Sequence, residues 1–231
     1  MTAAAPAPAI SVVVPALNEA RVIEQTLACL GPWREAGDEV LVVDGGSTDD
    51  TVSRARPLAD RVLTAPRGRA RQMNVGAAAA RGRLIVFVHA DTSLDPACRA
   101  ALVQACDDQG ALWGRFDVRL SGSARVFRLI ETMINLRSRL SGIATGDQAI
   151  FVDSDLFRRV GGYPEIALME DVALSRTLRR CRRPSALRPA VVTSSRRWEQ
   201  RGILRTVVTM WILRGAYAAG VSPERLARWY R

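Results

Sequence analysis

The sequence predicts an α/β fold: a mostly parallel central sheet with helices on both faces, followed by a C-terminal helical region. Three observations carry this. The apolar runs ISVVVP (10–15), VLVV (40–43) and LIVFV (84–88) do not alternate, so they read as strands buried on both faces. Segments with helical apolar spacing separate them, as βαβ units require. The 231 residues, 48% of them hydrophobic and 24% charged, suffice for a real core and exclude a disordered or collagen-like chain.

Residues 1–9 are Ala/Pro-rich, with no positive n-region and no long apolar core. They read as a disordered lead, not a secretory signal. One domain is expected over 10–231, with 10–115 and 116–231 as its functional halves. After strand 10–15, helical spacing over 19–30 (Val22, Ile23, Leu27, Leu30) stops at Gly31 and Pro32. Strand 40–43 leads into DGGSTDDT. A helical stretch at 51–58, a short strand at 61–64 and a helix over 68–80 come next. Strand 84–88 ends in His89-Ala90-Asp91, and Pro96 opens a helix to 107. Residues 113–120 alternate like an edge or mixed strand. Residues 123–140 form an amphipathic helix, with Val126, Leu129, Ile130, Met133, Ile134 and Leu136 on its apolar side. A strand at 146–152, a helix at 167–180, a short strand at 191–195 and a helical end broken at 220–223 complete the chain.

All 33 basic residues are arginine. Without lysine a GxxxxGK[ST] loop is impossible, and no GxGxxG follows a strand, so a phosphate site must use arginines, backbone amides or a metal. The net charge of +10 is uneven: residues 1–115 hold 12 arginines against 13 acids, and 116–231 hold 21 against 10. A basic half of this kind asks for an anionic partner. Ten arginines crowd residues 176–205, with Glu199 the single acid. They lack interleaved aromatics and no reader motif occurs, which argues against nucleic acid. The apolar stretch 206–213 falls well short of the ~20 residues a membrane-spanning helix needs. The helical segment 203–219, with Val207, Val208, Trp211 and Ile212, leaves three arrangements open: a membrane interface, docking on the sheet, or a homodimer contact. Cys29, Cys98, Cys106 and Cys181 show no metal or CxxC spacing. A reduced, cytoplasmic protein is expected, peripheral at the inner membrane face if it meets a membrane.

In an open parallel sheet, ligands bind beyond the carboxyl ends of the strands. Asn18-Glu19, Asp44 and His89-Ala90-Asp91 occupy three such ends. Carboxylates converging there without Cys or His clusters suit a hard cation with oxygen ligands, Mn²⁺ or Mg²⁺, bridging to phosphates. Capping of the following helix is the alternative for each acid. That alternative is favoured for Asp49 and Asp95 but not for Asp44 and Asp91, which end apolar strands directly.

SVVVPALNE (11–19), VLVVDGGSTDDT (40–51) and FVHADT (87–92) resemble the nucleotide-sugar half of the inverting family 2 glycosyltransferases, with the GT-A fold. MEDVALSRTLR (169–179) is similar to that family's Glu-Asp motif, and RRW (196–198) to its Arg-Trp signature. GRARQMN, HADT, GDQAIF and SSRRWE together look most like a short bacterial subgroup labelled radical-SAM/selenodomain-associated transferases. The resemblance implies a nucleoside-diphosphate-sugar donor, UDP-linked by preference, and an acceptor left unnamed, anionic or lipid-linked. It implies donor contacts from Pro15, Ala16, Asn18, Glu19, Asp44, Gly46, Arg71, Asp91, Arg196 and Arg197, with Asp44 on the base. Asp91, with His89 standing where the family has its first Asp-x-Asp acid, would hold the divalent cation, although packing beside the strand is an equal alternative for His89. Asp171 would be the general base, and Asp147, Gln148, Glu170 and Trp198 would meet the acceptor. First-turn helix stabilisation for Glu170 and Asp171, a structural turn for Asp147 and Gln148, and plain surface charge for the two arginines stay as alternatives. So does a non-catalytic module of the same fold that binds an anionic partner.

Overall fold

A computed structural model describes residues 9–230, Gln109 by its backbone only; most of the expected lead lies outside the described residues. The first half runs β1 (Ile10–Ala16), α1 (Ile23–Cys29), α2 (Gly31–Glu35), β2 (Glu39–Asp44), α3 (Thr51–Ala55), β3 (Arg61–Thr64), α4 (Arg69–Ala79), β4 (Leu84–Phe87), β5 (Thr92–Ser93) and α5 (Pro96–Gln109). The second half runs β6 (Trp113–Leu120), α6 (Arg125–Ser141), a 3₁₀ turn (Gly146–Gln148), β7 (Phe151–Asp153), α7 (Ser154–Arg159), α8 (Glu170–Cys181), β8 (Ser185–Thr193), α9 (Arg196–Arg201), α10 (Ile203–Ala218) and α11 (Pro223–Tyr230).

All eight strands form one sheet in the order β3-β2-β1-β4-β7-β6-β8-β5. β3, β2, β1 and β4 are parallel, which sets the reversal of strand order between β1 and β4. β7 pairs antiparallel with both β4 and β6, and β6 lies parallel to β8 across a register shift at Phe116/Asp117. The first-half strands bury both faces, as their unbroken apolar runs require. Val12, Val14, Val40 and Val42 pack with Leu27, Trp33 and Leu102 on one side. Val13, Leu41, Val43 and Ile85 pack with Met73, Phe157, Leu174 and Leu178 on the other.

The helix α4 approaches the sheet closely at Gly76, where an added Cβ would stand 2.3 Å from Val13 Cγ1 and 3.0 Å from Val43 Cγ2. Asp95 caps α5 by accepting from Ala97 N at 2.8 Å, the capping role expected of it.

Four elements depart from expectation. Gly31 and Pro32 stop α1 but also start α2, with Pro32 in its first turn, where its missing N–H costs nothing. Strand 146–152 shortens to β7 because 146–148 close a 3₁₀ turn through a Thr145–Gln148 capping box. The short α7 was not anticipated. β8, expected as a short strand over 191–195, runs Ser185–Thr193, whereas β6 takes the mixed pairing expected as one of its two placements.

Of the expected apolar side of α6, Ile130 is buried and Ile134 packs against the core, but the other four residues face outward. The helix buries Phe127, Ile130, Glu131 and Ser138, while Val126, Leu129, Met133, Leu136 and Leu140 are exposed. Hydrogen bonds decide this orientation. Glu131 Oε1 accepts from Leu120 N at 2.6 Å, and Asn135 bonds both N and O of Val118. Ser138 Oγ accepts from buried Arg115. Satisfying the β6 backbone and a buried guanidinium outweighs covering an aliphatic stripe.

Candidate active site

The loops after β1 and β2 hold each other. Asn18, in a left-handed conformation (φ 55°), accepts from Thr48 N at 2.9 Å, and its own N–H donates to Ser47 Oγ at 2.9 Å. Glu19 N donates to Thr51 Oγ1 at 2.8 Å. The Ala16 carbonyl accepts from Gly45 N and from Gln72 Nε2, closing the loop behind Pro15. Asp44 is buried, and its oxygens accept the N–H groups of Gly46 and Ser47 at 3.0–3.1 Å. The carboxylate expected to hold a base thus shapes its own loop first. Asp49 likewise bonds Thr51 and Ala20 N, the structural role favoured for it.

Beside these loops lies a charged centre. Arg196 reaches Glu19 Oε2 at 3.6 Å. Burial raises the Asp91 carboxyl above its usual range, against the pull of Arg196, Arg197 and Arg69. Burial and the neighbouring Asp91 raise Glu19 too, with Arg196 opposing. His89 is held down to about 3 by burial and by the positive fields of Arg69 and Arg197, so its ring is neutral. Its Nε2 is buried without a partner and faces Gly146, where a Cβ would come within 2.5 Å of it. Arg197 donates to the Tyr230 hydroxyl and lies over that ring.

The turn at Gly146 joins this centre to the first turn of α8. Gly146 N donates to Asp171 Oδ2 at 2.9 Å, and Val172 N donates to Oδ1 at 2.7 Å. Burial first, then the adjacent Glu170 charge, pushes Asp171 up to about 6. Arg69 bonds Glu170 at 3.3 Å; burial works against its charge, but Glu170 and Asp171 outweigh that and raise it. The residue preceding α8, Met169, is left-handed (φ 69°) without being glycine. Such backbone costs on the order of 1–3 kcal/mol and collects where a side chain must be aimed. Two further unpartnered groups border Asp171. Arg137 bonds Thr145 Oγ1 through Nη2, yet its Nε and Nη1 are buried without partners, as is Asp147 Oδ1. Burial lowers Arg137, and Asp147 and Asp171 pull the other way.

Three expected site residues lie elsewhere or serve the frame. Arg71 pairs with Glu165 at 3.0 Å beside a roughly 470 Å³ groove lined by Pro66, Asn74 and Val75. Arg69 takes the inward place, because positions two apart on a helix point ~200° apart. Trp198 packs toward Leu120, Phe127 and Ile130 instead of the Asp171 side. Gln148 is buried and accepts from Thr145 N, holding its turn, with Nε2 reaching Asn135. Arg69 and Arg137 are the additions. Arg69 shares a helix face with buried Gln72 and Met73, three and four residues on, a signal present in the sequence. Arg137 gave none, since it sits among exposed residues of α6.

The sequence model of glycosyl transferase family 2 matches residues 11–141, more than half of the chain. The chain belongs to glycosyl transferase family 2. Its family-matched segment holds β1 to α6, with Asp44 and Asp91; Asp171, Arg196 and Arg197 lie beyond it. Glucosyl-3-phosphoglycerate synthase of Mycobacterium tuberculosis is 36% identical over 92 residues, 36% of this chain and 28% of that protein. An uncharacterized glycosyltransferase of Mycobacterium bovis is 35% identical over 100 residues, 43% of this chain and 44% of its own length. The chain thus matches less than half of either relative. Among solved structures, S. aureus TarS with UDP-GlcNAc superposes with TM-score 0.67 at 20% identity, over 80% of this chain and 58% of that one, a likeness of fold alone. The M. tuberculosis synthase with Mn²⁺, UDP and glucosyl-3-phosphoglycerate gives TM-score 0.59 at 25% identity, over 79% and 70%. These neighbours support the GT-A architecture of this family 2 chain.

Proposed function

We propose that this family 2 chain is an inverting glycosyltransferase that moves a sugar from a nucleoside-diphosphate sugar, UDP-linked by preference, to an acceptor hydroxyl. The observation that carries the reading is Asp171: a carboxylate fixed at both oxygens, raised to about 6 and set next to the Arg69 guanidinium. A base of that pKa is mostly ionised at neutral pH and still takes up a proton readily. In an in-line displacement it removes the acceptor proton as the bond between anomeric carbon and phosphate oxygen breaks. Arg196 and Arg197 lie by Asp91, where guanidinium groups meet the charge growing on the leaving diphosphate. Pro15, Ala16, Asn18, Glu19, Asp44 and Gly46 form the nucleotide wall. Arg137 and Asp147 meet the acceptor through their unpartnered atoms, and an anionic acceptor suits the guanidinium. The solved synthase that shares this architecture was captured with phosphoglyceric acid, an anion.

The donor set near Asp91 is oxygen-rich, with two carboxylates, Asp91 and Glu19, whose negative fields act on each other. That chemistry fits a hard divalent cation shared with a diphosphate. Asp91 would hold it, with His89, neutral and unpartnered at Nε2, as the second candidate. When bound, Mn²⁺ or Mg²⁺ supplies charge neutralisation at the diphosphate. Arg196 and Arg197 hold the same diphosphate from the second half of the chain.

A second reading, a binding module without catalysis, is favoured by His89, which stands where the family has its first Asp-x-Asp acid. Calorimetry with UDP, with and without Mn²⁺, followed by UDP release from UDP-glucose and UDP-GlcNAc, separates the two. Binding with turnover supports the transferase; binding without turnover supports the module, and no UDP binding overturns the transferase.

A further inference from the structure

The helix α6 docks through Phe127, Ile130, Glu131 and Ser138 and leaves a second aliphatic stripe facing out. Val126, Leu129, Met133, Leu136 and Leu140 recur at steps of three and four, one continuous stripe. Leu129 is 61% exposed and Leu140 76%. α10 carries a second outward face, Leu204, Val208, Trp211 and Ile212, with Trp211 67% exposed. The helices adjoin, because Phe127 and Ile130 of α6 cluster with Ile203 and Val207 of α10. Trp229 on α11 is exposed as well, stacked by Arg225.

Charge selects the occupant. α6 holds four arginines against Glu131, which is buried, and residues 196–231 hold eight arginines against two glutamates. Among the described residues, exposed Arg125 and Arg205 enter no ion pair. A second copy would set one strongly positive face against another. A bilayer with anionic headgroups offers acyl chains to the stripe, opposite charge to the arginines and an interface for Trp211 and Trp229. We propose that the α6/α10 face seats this protein on an anionic phospholipid membrane surface. α6 also carries Arg137, so one helix links the membrane-facing stripe to the surroundings of Asp171.

The test is flotation of the purified full chain with vesicles of phosphatidylcholine alone or mixed with phosphatidylglycerol, beside light scattering for oligomeric state. The wild type should float with the anionic vesicles only, as a monomer, and high salt should reduce the bound fraction severalfold. Leu129→Glu/Leu136→Glu, both at exposed positions, should keep the circular dichroism spectrum and lose about tenfold in binding. Trp211→Ala should lose part of it. No flotation with anionic vesicles, or full flotation of the double variant, overturns the proposal. A wild-type dimer that the double variant dissociates assigns the face to a second copy and overturns it too. Vesicle binding is read without sugar transfer, so it stands or falls apart from the transferase reading.

Discussion

Asp171 is held by two backbone N–H groups, which favour its charge, inside an environment that disfavours it more. Two consequences of opposite sign follow. As the proposed base it would work only ionised, so kcat/KM should climb as pH rises through about 6 and level above it. Stability runs the other way: a carboxyl raised from 3.8 to about 6 contributes stability below 3.8 that is lost as pH rises through about 6. Asp171→Asn should therefore fold, melt no lower than the wild type above pH 7, and lose transfer by at least about a hundredfold. A variant that turns over at the wild-type rate removes Asp171 from the mechanism. Asp91→Ala should weaken UDP binding in Mn²⁺ by calorimetry while leaving the fold. Of the residues discussed here, those ending apolar strands were legible, because the strand itself points at them. Arg137 was not, since what makes it notable is two buried nitrogens without partners, which no spacing reveals.

The 3₁₀ turn and α4 show how elements set what residues can do. Gly146 lies against the His89 ring and donates to Asp171, so one backbone position serves both centres. A methyl there meets a ring packed in place. Gly146→Ala should lower kcat at least about tenfold and spare UDP affinity, read by steady-state kinetics beside calorimetry. In α4, Gly76→Ala gains about 1 kcal/mol of helix propensity. It also drives a Cβ to 2.3 Å from Val13 Cγ1, and overpacking of that kind costs about 1–3 kcal/mol. Urea denaturation should show a net loss. Element types were largely legible, and apolar periodicity carried them. α6 shows the limit: the same pattern suits a helix docked by its apolar face and one docked by a mixed face. The choice fell to hydrogen bonds from Glu131, Asn135 and Ser138 that belong to the tertiary structure.

Across the whole molecule, both halves build one charged centre: the near-neutral first half brings Glu19 and Asp91, and the basic second half brings Arg196 and Arg197. If, as proposed, a cation and two guanidinium groups share the diphosphate, neither should be indispensable for binding. EDTA should weaken UDP binding about tenfold and not abolish it, and Arg196→Ala/Arg197→Ala in EDTA should weaken it much further. If EDTA alone abolished binding, the arginines would not share that load.

The strand order has a consequence for how the chain is made. β4 is covered on one side by β1 and on the other by β7, which begins 64 residues after β4 ends. At the ~5–20 residues per second of translation, the LIVF edge waits roughly 3–13 s for its neighbour. An unpaired apolar edge is a template for pairing with other chains. The first half of this protein is therefore a fragment that should aggregate when cut off before residue 150, and nascent chains depend on protection until β7 emerges.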